Sequence, residues 1–167
     1  MIEPEKLLEF IKQRRSIRSF EQSEIAEDAI EMILEAGRWT PSASNRQPWE
    51  FIVIKDKEIL KEIASSAMYG NFVKRAPMAI AIVGKKSISP KWYIIDTSLV
   101  SMNMMLMAWS LGIGTCWIGS MDREKAKEIL KLNEDDYVLT ILPFGYIKGS
   151  IPNPSMRKSM AEIKKEI

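Results

Sequence analysis

A basic cluster near the start of the chain carries the first chemistry that the sequence suggests. Residues 14–20 read RRSIRSF, which places three guanidinium groups and two hydroxyls within seven positions. The planar fork of arginine matches a phosphate with two parallel hydrogen bonds, and serine hydroxyls or backbone amides can complete the cradle. These residue types are therefore compatible with an anion site. A second interpretation stays open, in which the cluster is a solvated basic turn paired with Glu21 and Glu24.

Two cations in the tail extend the same question. Arg157 and Lys158 could join the first cluster on one phosphate, or they could be ordinary surface charges beside Lys164 and Lys165. Their separation from the first cluster along the chain does not decide between the two.

The segment GIGTCWIG, residues 112–119, offers a different kind of ligand contact. Its glycines lack the spacing of the dinucleotide fingerprint, and the segment follows a helix rather than opening one, so a Rossmann site is not expected. Small residues still let a flat ligand approach the backbone, whose amides can then act as donors. The alternative is a helix end that runs directly into a core strand.

The chain has one cysteine and no histidine, which removes several classes of chemistry. An internal disulfide, a cysteine–histidine zinc site and any catalytic triad that uses imidazole are excluded. Cys116 has no imidazole to activate it, and its neighbours Trp117 and Ile118 predict burial, so we interpret it as structural. No metal site is expected.

Charge and composition limit the partners. With 24 basic and 22 acidic residues among 167, the net charge of +2 is not the field that steers a protein to nucleic acid, so any anion site must be local. The N-terminus lacks the pattern of a signal peptide, which predicts a cytoplasmic protein. Polar residues, among them Asp96 and Asn103, interrupt the apolar region 92–118, which predicts a buried helix rather than a membrane span.

The elements that must position these residues follow from periodicity and end signals. Helices are predicted at residues 4–14, from a Ser23 cap to about Gly37, at 57–66, from Pro90 to Gly112, and from an Asp122 cap to about Leu130. Strands are predicted at 51–55, 78–84, 113–120 and 137–147, the last interrupted by Pro143. Loops are predicted at 40–50 and 68–77. Because helices and strands are mixed without strict alternation, we expect one α+β domain.

Four segments, in this order, resemble the FMN-dependent nitroreductase family: RRSIRSF, PSASNRQPWEF, GIGTCWIG and FGYIKGSIPNPSMRK. The likeness spans nearly the whole chain. It implies a single FMN-binding domain over residues 1–167, with a flavoprotein fold in which helices flank a central, mostly antiparallel sheet. It also implies an intertwined homodimer with two FMN sites at the subunit interface, and it would make the methionine-rich long helix the dimer seam.

The resemblance assigns the basic residues to parts of the cofactor. Arg14 and Ser16 would lie at the phosphate and ribityl end, with Arg15 contributing mainly backbone. Arg18 would lie by N1 and the C2 carbonyl, where a fixed cation stabilises the negative charge that reduction adds. Arg157, with Lys158, would close on the phosphate.

The remaining assignments concern the flavin ring. Four residues would pack on it from the partner subunit, and two more would supply amides: Pro41, Ser42, Ala43 and Ser44, then Asn45 and Gln47. Asn71, with Lys74, resembles a further pair at the ring edge. Trp117, Ile118 and Gly119 would line the ring, with the backbone amide of Ile118 or Gly119 facing N5 and O4. No side-chain acid is nominated.

The family implies hydride transfer from NADH or NADPH to flavin N5, followed by reduction of a small-molecule acceptor in the same place, a ping-pong sequence. Nitroaromatics, quinones and free flavins are the expected acceptors. Three alternatives remain: a specialised reaction such as reductive dehalogenation or flavin fragmentation, a non-catalytic flavin-binding protein, and a weak RNA binder. The near-zero net charge counts against RNA. The compact chain lacks the inserted helices that cover the substrate channel in larger relatives.

Overall fold

Residues 2–167, the part of the chain that the computed structural model describes, form a four-stranded antiparallel sheet with helices on both faces. The strands are β1 (Trp49–Ile54), β2 (Met78–Lys85), β3 (Ile113–Thr115) and β4 (Asp136–Tyr146), in the order β1-β2-β4-β3. The helices are α1 (Pro4–Gln13), α2 (Glu27–Arg38), α3 (Lys57–Ser66), α4 (Tyr93–Ser110), α5 (Arg123–Ile129) and α6 (Met160–Ile163). This arrangement confirms the predicted α+β class with a mostly antiparallel sheet.

Strand β2 lies at the centre of the core, and its side chains alternate between the two faces of the sheet. Ala79, Ala81 and Val83 pack with α3 and α5, whereas Ile80 and Ile82 pack with α2 and α4. Both faces are covered, so β2 is buried along nearly its whole length and reads in the sequence as an unbroken apolar run.

Helix starts follow local capping chemistry in two cases and tertiary packing in a third. Asp56 accepts hydrogen bonds from the amides at the start of α3, and Asp122 caps α5 as predicted. The predicted Ser23 cap is wrong, because α2 begins only after Ala26. The extended residues before it place Ile25 in the core, which a longer helix would not do.

Two strand predictions are also corrected. β3 ends at Thr115 rather than at residue 120, because the chain beyond it leaves the ladder and is held by the side chain of Thr140 instead. β4 is not interrupted at Pro143, which lies opposite Ala79 in the register. β3 pairs only from Phe144 onward, so Pro143 sits where the sheet has one neighbouring strand fewer and a missing N–H is tolerated.

Two parts of the chain lie on the outside of this core. Helix α1 buries none of its residues, and residues 148–167 are exposed throughout. Among the helices of residues 2–167, none has both the length and the apolar character that crossing a bilayer demands.

Candidate functional site

The basic segment after α1 is fixed by pairing with the sheet. The amide of Ile17 donates to the carbonyl of Thr115 at 2.8 Å, and the amide of Glu21 donates to that of Tyr146 at 2.9 Å. The close approach depends on Gly114, where a Cβ atom would lie 2.7 Å from the side chain of Ile17. Ile17 is buried, which leaves the neighbouring polar side chains on the outer side of the segment.

Five of the predicted site residues line one polar cavity of about 190 Å³, the cationic cavity. Arg14, Arg15, Ser16 and Arg18 form one side, and Arg157 reaches it from the tail together with Pro152, Asn153 and Ser155. The two basic clusters that the sequence left separate are therefore adjacent, and at this point the chain concentrates positive charge that its net charge does not reveal.

Arg14 is the least satisfied member of this cavity. Its Nη1 is buried and has no hydrogen-bond partner within residues 2–167. Burial, and then the charge of Arg157, lower the pKa of Arg14, so the folded chain disfavours this cation. A buried guanidinium beside another cation lacks a counter-charge, and a phosphate would supply both the charge and the acceptors. The cavity is thus suited to a phosphate group.

Arg15 has the opposite surroundings. Its Nη1 donates to the carbonyls of Lys12, Gln13 and Arg14 at 2.6, 2.8 and 2.9 Å, which satisfies the free carbonyls at the end of α1. Its Nε donates to the carbonyl of Pro152 at 3.1 Å and ties the tail to the helix. The side chain is already occupied by structural contacts.

Arg18 lines the same cavity and also contacts an aromatic ring. It is exposed, and its guanidinium carbon lies 5.8 Å from the ring centre of Phe72, so a cation–π contact holds it. Phe72 follows Asn71, which brings Arg18 close to the segment of the predicted ring-edge pair. Asn71 and Lys74 are themselves exposed and line no part of the cationic cavity.

Of the two backbone amides predicted to contact the ring, those of Ile118 and Gly119, only one is left free of the hydroxyl of Thr140. The amide of Ile118 faces the Thr140 hydroxyl at 3.3 Å, and the same hydroxyl donates to the Ile118 carbonyl at 2.9 Å. Ile118 is buried and Gly119 is exposed, so the Ile118 amide is not available for the predicted N5 contact and Gly119 is the remaining candidate. Trp117, with 37% of its surface exposed, lies beside Gly119.

Cys116 is buried, as predicted from its neighbours. Burial raises the pKa of its thiol, and the charge of Arg18 opposes that shift only in part. A thiol kept protonated in this way is a poor nucleophile, in agreement with a structural role. Within residues 2–167, no three His, Cys, Asp or Glu side chains gather into a metal-binding group.

The loop at residues 41–47 has a strained backbone that internal hydrogen bonds hold closed. Ser44, Asn45 and Gln47 adopt the left-handed region with φ of 54°, 53° and 50°. Ser42 organises the loop: its hydroxyl accepts from the Gln47 amide and its carbonyl accepts from the Asn45 amide, both at 2.9 Å. Such a cluster of strained residues is typical of binding sites.

Helix α4 holds this loop through two residues that the sequence did not single out. The Asp96 carboxylate accepts from the Ala43 amide at 3.1 Å, and the Asn103 amide donates to the Thr40 hydroxyl at 2.8 Å. The available signal was two polar residues seven positions apart in an apolar helix, which places them on one face. From the sequence alone, both residues are interpreted only as polar interruptions of the apolar region 92–118.

The structure does not bring all predicted residues to one place within a single chain. The cationic cavity excludes Lys158, which is exposed, and the loop residues Pro41, Ser42, Ala43, Ser44, Asn45 and Gln47. It also excludes Trp117, Ile118 and Gly119. The charges of Arg14 and Arg18 nevertheless act on the pKa of Cys116, which lies directly before Trp117.

Comparison with known proteins gives the chain a family. The sequence profile of the Nitroreductase family matches residues 11–76 and 64–146. A protein of Methanothermobacter thermautotrophicus, provisionally named NADH dehydrogenase/NAD(P)H nitroreductase, is 38% identical over 84% of this chain and 76% of its own length. A protein of Archaeoglobus fulgidus with the same provisional name is 36% identical over 86% of this chain and 87% of its own length.

Solved structures agree. One from Parabacteroides distasonis, again provisionally named NADH dehydrogenase/NAD(P)H nitroreductase, superposes with a TM-score of 0.91 at 27% identity over 96% of this chain and 97% of its own. The FMN-dependent nitroreductase of Clostridium difficile gives a TM-score of 0.82 at 32% identity over 86% of this chain and 89% of its own.

An antiparallel sheet between helical layers, with a cationic cavity where the first basic segment meets the tail, defines an α+β protein suited to an anionic ligand. The matches define it further. The chain belongs to the nitroreductase family.

Proposed function

We propose that this member of the nitroreductase family is an FMN-dependent enzyme that transfers hydride from NADH or NADPH to a nitroaromatic, quinone or flavin acceptor by a ping-pong mechanism. The coarser class, an NAD(P)H-dependent oxidoreductase, is the one that the relatives' names share. The observation that carries the proposal for FMN is the buried Nη1 of Arg14, which has no hydrogen-bond partner within residues 2–167 and shares the cationic cavity with Arg157. The cofactor requirement of the Clostridium difficile protein supports it.

The residues of this chain would share the cofactor between its charged end and its ring. Arg14, Ser16 and Arg157 would hold the phosphate, since they line one cavity and Arg14 has a free buried donor. Arg18, which lines the same cavity and also contacts Phe72, would lie toward the ring, where its charge stabilises negative charge at N1. When bound, FMN supplies the redox chemistry by accepting hydride from NAD(P)H and passing it to the second substrate.

Two further elements would complete the ring site. The exposed amide of Gly119 is suited to donate toward N5 and O4, because the neighbouring Ile118 amide is turned inward. The preformed loop at residues 41–47, with Asn45 and Gln47 exposed, would pack on the ring from the partner subunit, and Asn71 would lie at its edge. Lys158 remains a proposed contact of the phosphate.

A homodimer is part of the same proposal. The loop at 41–47 does not line the cationic cavity of its own chain, and the proposal supplies this loop to each site from a second copy. Exposed apolar side chains on α1, α4 and the tail offer the surface for it, among them Leu8, Leu99 and Met156.

One preparation tests the function. The apoprotein is titrated with FMN and the yellow complex is then mixed with NADH or NADPH without oxygen, followed by a quinone. We expect stoichiometric uptake of FMN, bleaching by at least one nucleotide, and recovery of colour with the quinone. In steady state, double-reciprocal plots at several quinone concentrations should be parallel, as ping-pong kinetics requires.

The outcomes separate the alternatives. Failure to take up FMN would refute the flavoprotein proposal as a whole. A yellow protein that neither nucleotide bleaches would be a flavin-binding protein without the proposed activity, and a bleached protein with intersecting plots would lack the ping-pong order.

A further inference from the structure

A buried carboxylate on α4 has no role in the function proposed so far. Asp96 exposes only 3% of its surface, and its Oδ1 accepts from the Ala43 amide at 3.1 Å. Its Oδ2 is buried without a hydrogen-bond partner within residues 2–167. Burying a charged group costs free energy, so we expect the hydrogen bond to Ala43 to have a role that offsets this cost.

The contact lies beside the strained residues of the loop at 41–47. Ser44, Asn45 and Gln47 are all left-handed, and each such non-glycine residue costs energy that the surroundings must offset. The bonds between Ser42 and the amides of Asn45 and Gln47 close the loop on itself, but they do not attach it to the rest of the protein.

Attachment comes from α4 at two points. Asn103 holds Thr40 at the entry of the loop, and Asp96 holds the Ala43 amide at its centre. The two side chains are seven residues apart, so they lie about two turns apart on one face of the helix. Of the two, Asp96 bonds to the residue directly before the left-handed Ser44.

We propose that Asp96 is the positioning residue of the loop at 41–47, and that it fixes the backbone around Ala43 in the shape that receives the flavin. The inference rests on the proposed function, which puts this loop against the ring. A carboxylate suits the task because a charge-assisted hydrogen bond is stronger than a neutral one, and the first turn of α4 favours its negative charge. The loop is then set before the cofactor arrives, which lowers the cost of binding.

A simpler view gives Asp96 a role only as a favourable acid at a helix start. A solvent-facing acid in the same turn would serve that purpose without the cost of burial. The simpler view also predicts that removing the carboxylate changes stability and leaves the loop unaffected, which is measurable.

Three variants separate the two views. Asp96→Ala removes the acceptor, Asp96→Asn keeps an oxygen that can accept from Ala43, and Ser101→Ala is the matched control. Ser101 is likewise buried on α4 but bonds only to the Thr97 carbonyl of its own helix. Amide hydrogen exchange of Ala43 in the apoprotein and the FMN dissociation constant are measured for each.

We expect slow exchange at the Ala43 amide in the unsubstituted apoprotein, at least tenfold slower than at the exposed amide of Gly119. Asp96→Ala should release the Ala43 amide and weaken FMN binding by roughly tenfold or more, since the lost bond involves a charged group. Asp96→Asn should restore both to within about threefold. Ser101→Ala should leave both unchanged, because its hydroxyl bonds to a carbonyl of its own helix.

The failures are distinguishable. If the unsubstituted protein binds no FMN, the proposed function falls. If it binds FMN but its Ala43 amide exchanges as fast as that of Gly119, or if Asp96→Ala binds FMN as tightly as the parent, the positioning role falls and the function stands. If Asp96→Ala does not fold, the exchange rate of the Ala43 amide in the unsubstituted protein still tests the positioning role, because fast exchange would overturn it.

Discussion

At the scale of single residues, Arg14 and Arg15 are neighbours in the chain with opposite surroundings. Arg15 donates to four carbonyls, whereas Arg14 has a buried nitrogen without a partner among residues 2–167 and lies near the charge of Arg157. The basic pattern alone does not distinguish the two side chains, because the difference depends on where Pro152 and Arg157 arrive from the tail. Only the family resemblance assigns Arg14 to the phosphate and gives Arg15 a mainly backbone contribution.

Replacing Arg14 should therefore separate stability from binding. Because burial and Arg157 lower the pKa of Arg14, its charge destabilises the folded apoprotein at neutral pH. Arg14→Met should raise the unfolding temperature of the apoprotein by about 2–4 °C, which corresponds to about 1 kcal/mol for a chain of this size. It should also weaken FMN by roughly tenfold or more and leave riboflavin, which has no phosphate, unchanged. Calorimetry and flavin fluorescence measure the two effects.

Arg15 and Arg18 supply the controls. Arg15→Met should lower the unfolding temperature, because it leaves the final carbonyls of α1 without donors. Arg18→Met should change FMN and riboflavin binding alike and make the flavin reduction potential more negative. Loss of riboflavin binding in Arg14→Met would contradict the phosphate assignment, and an unchanged potential in Arg18→Met would contradict the role at N1.

At the scale of elements, the sequence predicts which helices and strands exist better than it predicts the residues at which they begin and end. Helix α3 and strand β2 lie within a residue of their predicted ranges, because capping and apolar runs are local signals. The early end of β3 and the late start of α2 depend on Thr140 and on the burial of Ile25, contacts that the local pattern does not contain. The sequence predicts a loop at 40–50, but it does not predict the hydrogen bonds that attach this loop to α4.

Three strands are joined by one ammonium group at the end of the sheet away from Pro143. Lys85 on β2 pairs with Glu50 on β1, and its Nζ lies 2.6 Å from Oδ1 of the buried Asp136 on β4. Burial alone would raise the pKa of Asp136, but the bonds from Lys85 and from the Asn133 amide outweigh it and lower that pKa. The ionised carboxylate therefore stabilises the fold above about pH 3.9, its ordinary pKa in an unfolded chain, and this contribution is lost as the pH falls through the lowered value.

Asp136→Asn should accordingly be less stable than the parent at pH 7 by about 2 kcal/mol, and the difference should narrow as the pH falls below about 4. Urea unfolding of the apoprotein at several pH values measures it. Glu50→Gln is the matched control, since the Glu50 carboxylate is about half exposed and should contribute less than about 1 kcal/mol. A difference that stays constant from pH 7 to pH 3 would contradict the ion-pair account.

At the scale of the whole molecule, one chain leaves apolar surface that its own fold does not cover. Ile95, Leu99 and Met102 lie along α4 with between 38% and 50% of their surface exposed, and Met156 in the tail is 95% exposed. Apolar residues around the whole circumference of a helix are typical of complete burial. The sequence therefore predicts that α4 is covered on all sides, and only the family resemblance predicts that a second copy covers it.

Leu99→Glu tests the assembly and the shared site together. The side chain is 46% exposed, so a single chain tolerates the charge, whereas a dimer seam would bury it at a cost of several kcal/mol. We expect the parent protein to sediment as a dimer of 19.1 kDa chains, and Leu99→Glu as a folded monomer with FMN uptake reduced by roughly tenfold or more. Ile88→Glu, at 47% exposure in the turn after β2, is the matched control and should remain a dimer that binds FMN. A monomeric parent that binds FMN tightly would refute the shared site, because the cationic cavity of one chain would then suffice without the loop of another.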